Sequence, residues 1–189
     1  MAPAQRLVVG ISGSSGAILG IRLLQKLQPT EVETHLVVTP AARRTITAET
    51  DWKVDAVLAL ADYRYEFDDI GASIASGSFA TLGMVVAPCS IKTLSAIANS
   101  YASNLLVRTA DVTLKEGRPL VLVVREAPYH AGHLRLMRLA AAAGAVIFPP
   151  VPAFYHRPAT LDEIVDQIAG RILARLGIPS GGQKEWRGN

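Results

Sequence analysis

The chain of 189 residues and 20.1 kDa is long enough for one sizeable core and too short for two ordinary enzyme domains. Half of its residues are hydrophobic, 19% are charged and mean hydropathy is +0.27, which excludes a disordered chain and predicts that some apolar surface is buried between copies of the chain. A net charge of +3 is too small to indicate a nucleic-acid partner despite the pI of 9.2, although local clusters of Arg and Lys can still hold a small anion.

The longest apolar stretch, residues 139–148, contains Gly144 and falls short of the roughly 20 residues a membrane span requires. The opening MAPAQRLVVG has neither the long apolar segment nor the small-residue cleavage site of a secretory signal. A single cysteine, Cys89, cannot close an internal disulfide, which suits a reducing compartment, so the expected location is the cytoplasm.

In chain order, residues 6–11 (RLVVGI) are an apolar, β-branched run that ends in Ser12-Gly13-Ser14-Ser15-Gly16 and passes into helical spacing at Ile21, Leu24 and Leu27. The pattern is strand, tight turn, helix. Residues 34–38 (THLVV) predict a second strand, and 41–50 a helix entered through Pro40, which suits a first helical turn. Between 51 and 83 the pattern predicts one short helix and then a polar loop. Residues 83–87 (GMVVA) return to a buried strand, ending in Pro88-Cys89-Ser90 before a helix from Ile91. A helix over 105–116, a strand over 119–124, a helix over 134–143 and a last strand over 145–148 follow. The final helix has the clearest start: Thr160 and Glu163 form a capping box, Leu161, Ile164, Val165, Ile168, Ile172 and Leu176 keep helical spacing, and Gly177 with Pro179 stops it. Apolar strands alternating with helices imply a parallel sheet covered on both faces. The fold class is therefore a doubly wound α/β sheet in one domain over 1–189, with 180–189 as a tail.

In such a sheet, ligands bind outside the carboxyl ends of the strands, where strand order reverses. The polar residues fall there: SGSSG after the first strand, Thr39 after the second, Ser90 and Thr93 after the third, Arg125 and Glu126 after the fourth, and Tyr155 and His156 beyond the fifth. Each suits a helix cap when taken singly, but together they predict a shared anionic ligand. Glycines and hydroxyls at a helix N-terminus let backbone N–H groups approach a phosphate, which makes a nucleotide or flavin plausible. The first turn is not G-x-G-x-x-G, Thr39-Pro40 stands where an NAD site would offer a carboxylate, and no G-x-x-x-x-G-K-[ST] loop occurs, so NAD and P-loop chemistry are both disfavoured.

Arg108, Asp111 and Lys115 share one helical face, either as a solvated ion-pair ladder or as part of a second anion site. Arg171 stands on the shoulder of the last helix's apolar stripe, where it can turn toward a site or an interface. Cys89 reads as small core filling rather than a nucleophile. His130 and His133 have a metal-ligand spacing but no joining carboxylate or thiol, so no metal is expected, and Ser12, Ser14 and Ser15 do not fit G-x-S-x-G.

The segments GISGSSGAILG, ETHLVVTPAAR, SGSFATLGMVVAPCSIKTLS, RTADVTLKEGRPLVLVVREAP and GAVIFPPVPAFYHRP, together with Trp186, resemble the UbiX-type flavin prenyltransferases through nearly the whole chain and in the same order. The resemblance implies a flavodoxin-like subunit in a homododecamer, with sites where subunits meet. It implies reduced FMN and dimethylallyl monophosphate as substrates and prenylated FMN, prenylated at N5 and C6, as product, used by UbiD-type decarboxylases. By motif position, Gly13, Ser14, Ser15, Thr39, Ser90, Ile91, Lys92, Thr93 and Arg125 would contact FMN. Arg108, Lys115, Tyr155 and Arg171 would hold the prenyl phosphate, and Ser15, Glu49 and Glu126 are the candidates for proton handling. The chain departs from the family at Thr39, usually Ser, and at Ser14, usually Ala, and keeps a small residue at both. Two other readings are an FMN-dependent cysteine decarboxylase and a non-catalytic flavin-binding subunit. The first would show a PASANT segment and a His on the helix over 41–50, and this chain has neither.

Overall fold

Strands whose side chains are apolar on both faces need a helical layer on each side, and the chain supplies both. In the computed structural model, which describes residues 5–179, six strands form one all-parallel sheet: β1 (Arg6–Ile11), β2 (Glu33–Val38), β3 (Tyr63–Tyr65), β4 (Gly83–Cys89), β5 (Leu120–Val124) and β6 (Val146–Ile147). The order is β3-β2-β1-β4-β5-β6. Without the three-residue edge strand β3, this is the flavodoxin arrangement. The expected tail and Trp186 lie outside the described residues.

The helices are α1 (Ala17–Leu27), α2 (Pro40–Glu49), α3 (Val54–Leu58), α4 (Ile91–Ala98), α5 (Leu105–Lys115), α6 (Ala131–Ala142) and α7 (Leu161–Arg175). Alternation along each strand divides the core in two. Leu7, Val9, Ile11, Val85, Ala87, Val121 and Val123 pack with α1, α2 and α7. Val8, Met84, Val86, Leu120, Leu122 and Val124 pack on the other face with α4, α5 and α6. The α1–α7 seam is closed by ions: Arg22 pairs with Asp162 and, at 3.1 Å, with Asp166, and Lys26 reaches Asp166 at 2.9 Å.

The sequence reading differs from the structure in four places. The polar loop expected before residue 83 contains β3, because YRY is too short and too exposed to carry a strand pattern by itself. Its pairing comes from β2, where buried His35 stacks on Tyr63 at 4.9 Å and places Nδ1 2.9 Å from the Tyr65 hydroxyl. Burial, outweighing the neighbouring Glu33, pulls this imidazole below its ordinary pKa. Next, α6 begins at Ala131 rather than 134, since the His130 ring caps it by accepting the Gly132 N–H. The strand from Gly83 continues through Pro88 to Cys89. In the capping box, Thr160 accepts the Glu163 N–H as expected, but the Glu163 carboxylate takes its bond from the Ala159 N–H.

Gly20, on the buried face of α1, shows how closely helix and sheet approach: an added Cβ would lie 2.8 Å from Ile11 Cγ1 and closer still to the Ala87 carbonyl oxygen. Alanine is the better helix former by about 1 kcal/mol, but a backbone obstacle cannot move aside as a side-chain tip can. Gly20→Ala is expected to destabilise the fold by about 1–2 kcal/mol, the overpacking cost exceeding the propensity gain, as read from the guanidinium unfolding midpoint.

Candidate active site

The chain leaves β1 for one side of the sheet and starts β4 on the other, so strand order reverses between β1 and β4 and the crevice opens at their carboxyl ends. Ser12 ties the two ends together. It is 1% exposed, its hydroxyl donates to the Pro88 carbonyl at 2.8 Å, and it accepts the Ser90 N–H at 2.7 Å. Sequence reasoning gave roles to Ser14 and Ser15 of the turn and none to Ser12. Its position at the last step of a buried strand, facing a Pro-Cys-Ser turn, was the only signal for this role.

Above this clamp lies a cavity of about 930 Å³, near the upper end of the range for small-molecule sites. Gly13, Thr39, Ser90, Lys92 and Thr93 of the expected cofactor set line it. The N-termini of α2, α4 and α5 surround it, capped by Thr39, Ser90 and Asn104, whose side chains accept the N–H groups of Ala42, Thr93 and Val107. Capping and ligand binding therefore coexist: each cap uses one N–H and leaves others of the first turn for an anion. Arg44 and Lys92 line the cavity, no carboxylate does, and Phe67, Tyr101, Leu106 and Val107 supply apolar wall. A Cβ on Gly13 would strike Ala41, so only glycine lets the first turn come this close to α2. Of the residues that sequence reasoning missed, Asn104 was readable as an N-cap, whereas Arg44, Phe67 and Tyr101 carried no local signal.

Glu49 ends α2 and reaches back over the first turn, where its Oε2 accepts the Gly16 N–H at 2.8 Å. This places its carboxylate at the start of α1, next to Ser15 in sequence terms and favoured there by the helix dipole. The hydroxyl of Ser14 is buried, with no hydrogen-bond partner among the described residues. Ile91 is the first residue of α4, and Arg125, exposed, directly follows β5, with Glu126 next to it accepting the Ala127 N–H at 3.0 Å.

The expected phosphate ligands are not gathered within one chain. Arg108 pairs with Asp111 at 2.9 Å, while Lys115 turns from that face to Glu116. Lys115 ends α5, just before β5 begins, beside Gly77, whose missing Cβ leaves room for the ammonium. Arg118 fixes that contact by donating to the carbonyls of Gly77 and Phe79 at 2.6 and 2.8 Å. Arg125 lies past the far end of β5, so Arg118 and Arg125 bracket a five-residue strand spanning about 16 Å at roughly 3.3 Å per residue. Arg171 lies on α7 with its guanidinium 5.9 Å from the centroid of Phe148, and Tyr155 sits in a 3-10 turn with its ring 4.1 Å from that of His156.

Cys89 is fully buried, and burial pushes its thiol far above the ordinary value, consistent with core filling. The rings of His130 and His133 lie 3.7 Å apart, tilted by 37°. Among the described residues no group of three or more His, Cys, Asp or Glu side chains could hold a metal.

The Flavoprotein family profile matches residues 1–173. Flavin prenyltransferase UbiX of Escherichia coli K12 is 61% identical over 175 residues, 92% of this chain and 93% of that protein. Among solved structures, AnUbiX in complex with FMN and dimethylallyl pyrophosphate superposes with a TM-score of 0.97 at 47% identity, covering 99% of this chain and 100% of that one. A dodecameric FMN-dependent UbiX-like decarboxylase from Escherichia coli O157:H7 superposes with a TM-score of 0.95 at 46% identity, covering 97% of this chain and 100% of its own.

Ser12→Ala strands the Ser90 N–H inside the protein and leaves the Pro88 carbonyl with the backbone N–H of residue 12 alone. The expected loss is about 1–3 kcal/mol of unfolding free energy, with Ser12→Thr, which keeps the hydroxyl, recovering most of it in the same denaturant titration.

Proposed function

This chain belongs to the Flavoprotein family and, within it, to the UbiX flavin prenyltransferases, and from that premise we propose that it transfers a dimethylallyl group from dimethylallyl monophosphate to reduced FMN. The observation that carries this reading is the switch-point cavity. Its helix N-termini and Lys92 suit a phosphate, its aromatic and aliphatic wall suits a flat ring system, and the Gly13 cradle lets the backbone approach both. Gly13, Ser14, Ser15, Thr39, Ser90, Ile91, Lys92, Thr93 and Arg125 hold the FMN. Bound there in reduced form, it supplies the nucleophilic nitrogen N5.

In the transfer, the allylic carbon–oxygen bond would break, its electron pair leaving with the phosphate, and a carbon–nitrogen bond would form at N5 as the N5 proton is lost. Ring closure would then take up a proton on the prenyl double bond, join the resulting tertiary carbon to C6 and release the C6 proton. Cations fixed around the departing phosphate stabilise the charge that develops on it. Arg108, Lys115 and Arg171, with the Tyr155 hydroxyl, are that set. Glu126 or the departing phosphate accepts the proton, and Glu49 with Ser15 serves proton transfer at the flavin.

Because Lys115 stands at the amino end of the sheet, it serves a site in a neighbouring copy. A homododecamer, as in the E. coli relative, provides that neighbour. The product passes to a UbiD-type decarboxylase, and the cytoplasm, where a lone thiol stays reduced, is the compartment assigned.

Anaerobic incubation with reduced FMN and dimethylallyl monophosphate should add five carbons to the flavin by mass. Bound FMN without that gain would instead indicate a non-catalytic flavin carrier. Lys115→Ala and Arg171→Ala should each abolish transfer while FMN still binds. Dissociated and reassembled together, these two inactive chains should recover activity in about a quarter of sites if each site draws the two residues from different subunits; no recovery would place them in one chain.

A further inference from the structure

Beside β6, a second cavity of about 260 Å³ is walled by Ile147, Phe148, Val151 and Ile168, and receives two polar side chains of α7, Gln167 and Arg171. These two are four residues apart, so they stand one above the other on the same helical face. Arg171 rests near the Phe148 ring. The side-chain oxygen of Gln167 is buried, with no hydrogen-bond partner among the described residues. Buried amide oxygens are rarely left so, and an orphan of this kind calls for a donor that arrives in another state of the molecule.

We infer that Gln167 is a positioning residue for Arg171 in the prenyl-phosphate subsite, an inference that rests on the reading that Arg171 holds the phosphate. The guanidinium has five N–H donors in a planar fork, and a bidentate phosphate contact uses two of them. When phosphate draws Arg171 off Phe148, Gln167 Oε1 accepts one of the remaining donors and fixes the plane of the fork. The adjacent acid on α7 does not compete, because Asp166 is held by Lys26 at 2.9 Å and Arg22 at 3.1 Å on the α1 side.

The test is Gln167→Met, which keeps the side-chain length and removes the oxygen, with Gln167→Leu as second variant should the first not assemble. Full-length protein saturated with reduced FMN is assayed for prenyl transfer with dimethylallyl monophosphate, and its ligand-free Tm is measured. KM for the prenyl phosphate should rise about tenfold, the loss of one hydrogen bond to a charged group, with kcat and FMN affinity unchanged. Tm should not fall, because the substitution removes an unpaired buried polar atom. An unchanged KM, or a lowered Tm as the sole effect, identifies a structural residue and overturns the inference. Arg171→Ala is run alongside. If it abolishes transfer while Gln167→Met leaves KM unchanged, only the positioning role fails. If it leaves transfer intact with KM unchanged, the phosphate reading fails and the inference with it.

Discussion

The geometry of the site depends on the Ser12 hydroxyl. After β1 the chain crosses to the face covered by α1, and after β4 it crosses to the face covered by α4, so the two turns that frame the crevice leave in opposite directions. The backbone ladder runs up to the turns, with the Ser12 N–H donating to the Pro88 carbonyl at 3.2 Å. The Ser12 hydroxyl adds a second bond to that carbonyl and accepts the Ser90 N–H, which helps hold the two turns in register, and burial makes these bonds costly to lose. Two cavity residues adjoin that junction: Gly13 follows Ser12 directly, and Ser90 both donates to Ser12 and caps α4.

Helix ends give the cavity its electrostatic character more than side-chain charge does. Thr39, Ser90 and Asn104 each satisfy a single N–H of the helix they cap, and the remaining first-turn amides face the same space. Lys92 and Arg44 add to that field without opposition from any lining carboxylate. The carboxylate of Glu49 is held to one side, on Gly16, at a helix start that has no side-chain cap of its own.

The fold was legible in the sequence because its signals are local. The β-branched runs, the turn glycines, Pro40 and the Thr160 cap each act within a few residues, and each named the element the structure contains. The elements missed were those that depend on distant partners: β3 exists through its pairing with β2 and the stacking of His35, and the early start of α6 through a histidine serving as a cap. The cofactor side of the site was legible for the same local reason, since caps and turns mark strand ends. The roles of Ser12 and Gln167 were not, because a buried serine in a serine-rich turn and a glutamine on a helical shoulder take their meaning from what they face, which only the fold decides.

The two halves of the proposed reaction differ in what they require of assembly. The switch-point cavity is lined by turns, caps and apolar side chains of one chain, but Ser14, Ser15, Ile91 and Arg125 of the expected flavin set are not among its lining residues. The expected prenyl-phosphate ligands are scattered over one subunit: Lys115 is at the amino end of the sheet, Tyr155 in a 3-10 turn and Arg171 on α7 beside Phe148. In the separate chain Arg108 and Lys115 are neutralised by Asp111 and Glu116. Near Tyr155 the surface is apolar, with Val151 64%, Phe154 72% and Leu161 75% exposed. Such residues belong against another subunit. The low charge fraction of the sequence fits the same arrangement, because a chain that docks on copies of itself must keep apolar surface for that contact.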